Sequence, residues 1–332
     1  MFTNYLEIEP GTRLFYKVYG STKDAQKEID PEQPTLIFLH GGPGVVDHTL
    51  YEPFWSKFSV HVMGNSTLQV IFIDQRGCGK SYIDRDNNRD YGDPNKWTLE
   101  QWGKDVHTFF TRFNIQKPII AGVSFGGAVA MSCAVQFPTE LGGLILCDTD
   151  ARFDLDEIVN QFAKKVRKKG GDNFEVEKVC NAAKAMFIDT TQQTYANYVS
   201  TCIPYCATNP YNPNLIAQCV KNEKAAFFYN KNELTKYNFL PDLVKIECKT
   251  LVMGGDQNPV HNAESAKKTA EAIKPEQLTF EIFYGAGSPV YADKEKEATA
   301  LIDQFLSKLP MNQMTNINNT QNPKGSTHVK KF

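Results

Sequence analysis

The sequence predicts an α/β fold: a doubly wound, mostly parallel sheet with an inserted helical cap. Short apolar runs rich in β-branched residues recur along the chain, and such runs are typical of strands buried on both faces of a parallel sheet. Amphipathic helical patterns separate several of these runs, and strand–helix alternation is typical of doubly wound sheets. The predicted strands lie at 35–40, 69–74, 118–124, 143–148, 250–255 and 278–285.

Two further elements have clear local signals. Residues 1–20 alternate apolar and polar side chains around Pro10-Gly11, which predicts a β-hairpin. The clearest helix is predicted over 98–113, where Thr98 and Gln101 have the spacing of a capping box. Apolar side chains at helical spacing predict one buried face of this helix. These side chains are Trp102, Val106, Phe109, Phe110 and Phe113.

The same patterns divide the chain into four segments. We expect 1–150 and 246–310 to be the two parts of one α/β core. The segment 151–245 has helical periodicity, many aromatic residues and no strong strand, which predicts an inserted helical cap. The segment 311–332 is polar and Asn-rich, and it cannot bury enough apolar surface to order itself. We expect this tail to be disordered, and a protein partner that binds it is the alternative.

Composition argues against several classes of function. The 332 residues include 36 basic and 38 acidic side chains without a basic stripe, so we expect no nucleic-acid partner. No run approaches the roughly 18 apolar residues of a membrane span, and the start lacks the apolar core of a signal peptide. We therefore expect a cytoplasmic protein that does not bind membranes. The eight cysteines are scattered and predicted to be free thiols. Cys202 and Cys206 lack the partners of a zinc site, so we expect neither a metal nor another cofactor.

A nucleophile elbow is the strongest motif. Residues 122–126, Gly-Val-Ser-Phe-Gly, fit G-x-S-x-G directly after an apolar strand and directly before a helix. This context predicts that Ser124 is a nucleophile on a strained turn. We expect Gly122 and Gly126 where the helix and the strand cross too closely for a Cβ atom. Phe125 follows the serine and is expected to donate one backbone N–H of an oxyanion hole.

A glycine-rich loop is expected to supply the second oxyanion donor. The strand at 35–40 leads into His40-Gly41-Gly42-Pro43-Gly44, and a loop in this place lends a backbone N–H to the oxyanion in serine hydrolases with this elbow. We expect Gly42 to be that donor. His40 lies at the strand end beside this loop, where a structural histidine that bonds to backbone is commoner than a catalytic one.

The motifs together resemble one family. The loop 40–44, the run 74–81 (Asp-Gln-Arg-Gly-Cys-Gly-Lys-Ser) and the elbow at Ser124 are similar to the prolyl aminopeptidase (proline iminopeptidase) family of α/β hydrolases. The likeness covers about 5–150 and 248–309, whereas the cap matches only in position. It implies the α/β-hydrolase fold and a serine hydrolase that releases an N-terminal residue, often proline, from short peptides. Related caps serve esters, lactones or epoxides, so we expect a small peptide or ester substrate.

The resemblance also implies acidic cap residues that receive the free amine of the substrate. Four carboxylates in the cap are candidates, and the sequence does not choose among them. They are Asp154, Asp156, Glu157 and Glu175.

The catalytic acid and base are harder to assign. In this fold the chain order is serine, acid, histidine. Asp256 follows a strand and is the expected acid, with Asp148 and Asp150 after the preceding strand as alternatives. Relatives have Ala-Gly-His after the last strand, but this chain has Ser288 in the place of the histidine. A serine hydroxyl cannot accept a proton near neutral pH as imidazole does, so the usual general base is absent.

Two hypotheses about activity follow. His48, His61, His107 and His328 are excluded as replacement bases by position, whereas His261, shortly after Asp256, is a displaced base if it reaches Ser124. The first hypothesis is a hydrolase with impaired turnover, in which Ser288→His raises the rate. The second is a retired enzyme, a pseudoenzyme kept as a structural or partner-binding subunit.

Overall fold

The computed structural model describes residues 1–20, 28–82, 93–206, 208–209 and 211–310. Eight strands form one sheet, and two very short strands, β4 and β5, pair with each other beside it. The strands are β1 (Phe2–Glu9), β2 (Thr12–Tyr19), β3 (Thr35–Leu39), β4 (Val62–Met63), β5 (Ser66–Thr67), β6 (Gln69–Ile73), β7 (Ile119–Val123), β8 (Gly143–Cys147), β9 (Lys249–Gly255) and β10 (Leu278–Phe283).

The sheet has the topology that the sequence predicts. Its strand order is β1-β2-β6-β3-β7-β8-β9-β10. The N-terminal hairpin pairs antiparallel within itself and with β6, and all other neighbours are parallel. The fold class, a mostly parallel α/β sheet, is confirmed.

Helices cover both faces of the sheet and form the insertion. They are α1 (His48–Trp55), α2 (Leu99–Arg112), α3 (Phe125–Gln136), α4 (Leu155–Lys168), α5 (Asn173–Ile188), α6 (Gln192–Thr201), α7 (Pro213–Gln218), α8 (Glu223–Tyr229), α9 (Ala263–Glu271), α10 (Val290–Asp293) and α11 (Glu295–Ser307). The segment between β8 and β9 contains α4 to α8, and we call residues 151–245 the cap. Within the described ranges, no helix combines the length and apolar character that a membrane crossing requires. The predicted disordered tail, 311–332, lies outside the described residues.

The core lies on both faces of the sheet. Leu36 and Phe38 of β3 pack in one apolar cluster with side chains of α1 and α11. Ile37 and Leu39 alternate with them and pack in a second cluster with side chains of α2, α3 and the cap. Because successive strand residues point to opposite faces, a strand with no polar face must be covered on both sides. The continuous apolar runs in the sequence therefore correspond to a doubly covered sheet.

The predicted α2 helix forms with one change at its start. Thr98 Oγ1 accepts a hydrogen bond from Gln101 N at 3.1 Å, as the capping motif predicts. The Gln101 side chain does not return to Thr98 but donates to Asp105 Oδ1 at 2.9 Å. Asp105 also binds the buried guanidinium of Arg76 through two bonds of 2.7 Å. The capping box is therefore half formed, because the glutamine amide instead helps to satisfy a buried carboxylate.

The crossing of α3 over the strands requires glycine. A Cβ on Gly122 would lie less than 3.0 Å from backbone atoms of Gly126 and Gly127. A Cβ on Gly126 would lie less than 3.0 Å from the carbonyl oxygens of Leu39 and His40. Since backbone atoms cannot rotate away as side chains can, α3 would have to shift to admit either Cβ. The absence of Cβ atoms lets the helix start directly above the strand ends.

We expect Gly126→Ala to destabilise the protein by about 3 kcal/mol or more, because overpacking against backbone forces the helix to move. Gly254→Ala is the matched control, since its Cβ would meet Ala266 Cβ at 3.6 Å and Asp148 Oδ1 at 3.8 Å, which are ordinary contacts. The control should lose less than about 1 kcal/mol. Urea unfolding monitored by circular dichroism measures both. Equal losses in the two variants would contradict the close crossing.

Candidate active site

Ser124 lies on a strained turn between β7 and α3. Its backbone has φ 53° and ψ −120°, a conformation that costs a non-glycine residue on the order of 1–3 kcal/mol. The end of β8 holds this turn, because Ser124 N donates to the carbonyl oxygens of Cys147 and Asp148, each at 3.1 Å. Thr149 Oγ1 donates to the carbonyl of Ser124 at 2.8 Å. The residues at and after the end of β8 thus fix the direction of the serine side chain.

An imidazole contacts this serine, and it belongs to His261. Ser124 Oγ lies 3.0 Å from His261 Nε2. On the other side of the ring, His261 Nδ1 lies 2.7 Å from Asp150 Oδ2. The carboxylate can only accept, so Nδ1 carries the proton and Nε2 is free to accept one from the serine hydroxyl. The three side chains form the hydroxyl–imidazole–carboxylate chain of a serine hydrolase triad.

Local bonds explain why His261 is presented here. We call residues 256–262, which follow β9, the base loop. Asn258 Oδ1 accepts from Val260 N at 3.0 Å, which closes a short turn around Pro259. Asn262 Oδ1 accepts from the first backbone N–H groups of α9 at 3.0 Å and so caps that helix. His261 lies between the turn and the cap, where its backbone is fixed on both sides.

The pKa of His261 is raised above its ordinary value. Burial alone would lower this pKa, because it disfavours the imidazolium. The negative charge of Asp150 and its hydrogen bond to the ring outweigh burial, and Asp148 adds a further charge. Burial raises the pKa of Asp150, and the contact with His261 opposes that shift without cancelling it. Among the described residues, Asp150 Oδ1 is buried without a hydrogen-bond partner, which agrees with this shift.

Asp256, the expected acid, has other partners. Its Oδ1 accepts from Gly285 N at 2.6 Å and its Oδ2 accepts from Gln257 Nε2 at 2.8 Å. The carboxylate on the imidazole is Asp150, one of the two alternatives after β8, so the expected pairing of Asp256 with the base is corrected. The physical reason is that the loop after β9 supplies the imidazole itself. Asp256 then ties that loop to the loop after β10.

Ser288, the residue at the expected histidine position, has a partner in the cap. Its hydroxyl bonds to the phenol of Tyr211 from the cap. Beside it, Gly287 N donates to Thr208 Oγ1 at 3.1 Å, and Asn209 Nδ2 donates to Asp293 Oδ1 at 2.6 Å. Thr208, Asn209 and Tyr211 of the cap therefore contact the loop after β10 and the short helix α10 that follows it. The imidazole beside Ser124 belongs to His261, so the expectation that serine at position 288 leaves the site without a base is corrected.

Asp148, the other alternative acid, joins three chain segments. It accepts from Gly255 N at 3.2 Å and from Val290 N at 2.8 Å. Burial raises its pKa to about 6, although the Val290 N–H and His261 act in the opposite direction. The carboxylate holds the ends of β8 and β9 and the start of α10 in register, close to the triad but without a bond to the imidazole.

The predicted oxyanion donors flank the serine turn. Phe125 is the first residue of α3, so its N–H belongs to the helix end that lacks intrahelical acceptors. The loop of Gly42 packs against the end of β7, because a Cβ on Gly41 would lie 3.4 Å from the carbonyl oxygen of Val123. The role of Gly42 and Phe125 as donors stays a prediction.

The other described histidines have structural partners. His40 Nδ1 donates to Gly41 O at 2.6 Å, and its Nε2 accepts from Gln75 N at 3.4 Å, as expected for a structural histidine. The remaining three contact carboxylates away from the serine: His48 with Asp74, His61 with Asp303 and His107 with Glu140. His328 lies outside the described residues.

One buried cluster has metal-ligand chemistry, namely Asp47, His48 and Asp74. His48 Nδ1 bonds to Asp74 Oδ1 at 2.8 Å, and Asp74 Oδ2 accepts from Lys80 N at 2.8 Å. Asp47 Oδ2 accepts from Val220 N of the cap at 2.8 Å. These N–H donors already occupy the carboxylate oxygens, so the cluster anchors the glycine-rich loop and the cap.

Comparisons with known proteins agree with the fold. The profile of the alpha/beta hydrolase fold family matches residues 34–295, so the chain belongs to that family. It is 25% identical over 311 residues to the proline iminopeptidase PfmaB of Pestalotiopsis fici, covering 92% of this chain and 99% of that protein.

Two solved structures share the fold. The proline iminopeptidase of Mycobacterium smegmatis has a TM-score of 0.65 at 18% identity, covering 92% of this chain and 97% of that one. The enol-lactonase of Burkholderia xenovorans has a TM-score of 0.61 at 18% identity, covering 92% and 100%. The chain is a hydrolase-fold protein similar to prolyl aminopeptidases.

The charge of Asp150 should control the titration of His261. We expect Asp150→Asn to lower the pKa of this imidazole by about one pH unit or more, because burial is then opposed by less negative charge. A ¹⁵N-histidine NMR titration measures the change. Asp256→Asn is the matched control and should leave the titration of His261 in place. A larger shift in Asp256→Asn than in Asp150→Asn would contradict the assignment of the acid.

Proposed function

We propose that this protein is an active serine hydrolase in which His261 and Asp150 activate Ser124. The observation that carries the proposal is the 3.0 Å contact between Ser124 Oγ and His261 Nε2. A serine hydroxyl is a weak nucleophile near neutral pH unless an adjacent base takes its proton. His261 is such a base, and Asp150 holds the ring in the tautomer that can accept.

The first half of the reaction transfers the acyl group to the enzyme. Ser124 Oγ attacks the carbonyl carbon of the substrate while its proton passes to His261 Nε2. The negative charge that forms on the carbonyl oxygen is stabilised by the N–H groups of Gly42 and Phe125. The tetrahedral intermediate then breaks the bond to the leaving amine or alkoxide, which takes the proton from His261. An ester of Ser124 remains.

The second half returns the serine. Water attacks the acyl ester, its proton passes to His261 Nε2, and a second oxyanion forms in the same place. When the bond to Ser124 Oγ breaks, His261 returns the proton to that oxygen and the acid product leaves. Asp150 stays ionised throughout and stabilises the imidazolium formed in both halves.

We propose short peptides with an N-terminal proline as the first substrate class. Support comes from the similarity along most of the chain to proteins named proline iminopeptidase. Small esters form the second class, because the same acyl transfer acts on them. Three of the four candidate acidic residues for the substrate amine have partners: Asp154 caps α4, Glu157 binds Lys268, and Glu175 accepts from Tyr205. The fourth, Asp156, is exposed in the first turn of α4.

The alternative of a retired enzyme rested on the missing histidine after the last strand. A base contributed by the loop after β9 removes the chemical reason for that alternative. The tail that suggested a partner-binding role lies outside the described residues, so we propose the active hydrolase alone.

Labelling of Ser124 by a fluorophosphonate tests the proposal without knowledge of the substrate. We expect the wild-type protein to be labelled and His261→Ala to be labelled at least about 100-fold more slowly, since the general base is lost. Ser124→Ala should not react. His107→Ala is the control, because this half-exposed histidine pairs with Glu140 away from the site. Unreactive wild type, or labelling of His261→Ala at the wild-type rate, would refute the mechanism.

Ser288→His should not raise the labelling rate beyond about threefold, in contrast to the expectation from the sequence alone. General base catalysis is worth about 100-fold or more when an imidazole is newly supplied, but His261 already supplies one. Ser288 also contacts the phenol of Tyr211, and Ser288→Ala controls for loss of that contact. A hundredfold gain in Ser288→His alone would show that His261 is not the base.

A further inference from the structure

Cap helix α4 contacts both sides of the segment that carries His261. Before the histidine, Lys165 Nζ donates to the carbonyl oxygen of Gln257 at 3.0 Å and to its Oε1 at 2.6 Å. After the histidine, Lys268 Nζ of α9 binds Glu157 Oε2 at 2.6 Å. The two contact points are eight residues apart on α4, about 12 Å along the helix axis. The cap thus contacts both the base loop and the last turn of the helix that follows it.

The contact at Gln257 reaches a well-fixed part of the base loop. Gln257 N donates to Ala286 O at 2.9 Å, and its Nε2 donates to Asp256 Oδ2 at 2.8 Å. Lys165 occupies both acceptors that remain, the backbone carbonyl and the side-chain oxygen. The base loop is therefore held by Ala286 of the loop after β10 and by Lys165 of the cap.

Lys165 makes this contact although other lysines lie close to it. Burial lowers its pKa, and Lys169 and Lys168 lower it further, whereas Asp256 partly compensates. A surface cavity of about 150 Å³ adjoins the contact and is also lined by Lys164 and Lys168, which are exposed. The neighbouring lysines thus point to solvent, and Lys165 turns towards the base loop.

We propose that Lys165 is a positioning residue, through which the cap holds the base loop so that the imidazole of His261 reaches Ser124. This inference rests on the proposed function of His261 as the base. Within the base loop itself, the turn at Asn258 and the cap at Asn262 fix local geometry but not the distance to the serine. A displacement of about 1 Å in a catalytic group can lower a rate on the order of 100-fold. Under this proposal, the contact of the cap with the base loop and the correct placement of His261 depend on the same lysine.

The test compares three lysine variants by the rate at which a fluorophosphonate labels Ser124 across pH. We expect Lys165→Met to react about 10- to 100-fold more slowly. Its acidic limb should move to lower pH, because an imidazole displaced from Asp150 loses the charge that raises its pKa. Lys165→Arg keeps a donor and should stay within about threefold of wild type. Lys164→Met, an exposed lysine on the same cavity, is the matched control and should be unchanged.

Thermal unfolding of the same variants separates positioning from stability. We expect the melting temperature of Lys165→Met to stay within about 2 °C of wild type, since the contact is only part-buried and adjoins an open cavity. If Lys165→Met is labelled as fast as Lys164→Met while His261→Ala is slow, the positioning role is overturned and the proposed function stands. If Lys165→Met and Lys165→Arg are equally slow and both melt early, a purely structural role replaces the proposal. If wild type is not labelled at all, the proposed function fails and the positioning role with it.

Discussion

The seating of α3 on the ends of β3 and β7 is the constraint on which the site depends. Without Cβ atoms at Gly122 and Gly126, the helix begins directly above the strand ends. The chain between them must then turn within one residue, and Ser124 takes the strained conformation at that point. The hydroxyl is thereby presented at the carboxyl edge of the sheet, within reach of the loops that follow the next two strands.

In the proposed triad, the acid and the base each follow a strand one position earlier than the sequence analysis expected. Under the proposed mechanism, the nucleophile Ser124 follows β7, the acid Asp150 follows β8, and the base His261 follows β9. The expected arrangement placed the acid after β9 and the base after β10. Parallel strands lie about 4.8 Å apart and all end at the same edge, so an adjacent loop can supply the same group from a slightly different direction. Thr208 and Tyr211 of the cap contact the loop after β10, where the expected arrangement placed the base.

The sequence was sufficient for what depends on local pattern. The strands, the α2 helix and the elbow at Ser124 follow from apolar runs, periodicity and a motif with its flanks. The choice of acid depends on contacts distant in sequence: Asp256 is occupied by Gly285, whereas Asp150 meets His261 across more than a hundred residues. A local signal for the base was present, because Asn258-Pro259 predicts a turn and Asn262 predicts a helix start around His261. Those two signals fix the loop, but the distance to Ser124 follows only from the packed sheet.

The contact between Ser288 and Tyr211 bears on how active and inactive members of such a family are distinguished. A comparison by sequence position alone finds serine where a histidine is expected, and it therefore classifies the chain as inactive. In this structure, Ser288 instead contacts the phenol of Tyr211, at the boundary between the cap and the core. Under the proposed mechanism the imidazole comes from position 261, and the side chain at position 288 takes no part in proton transfer. Superposition of structures around the nucleophile, rather than sequence alignment, is the comparison that identifies an imidazole supplied from a different position.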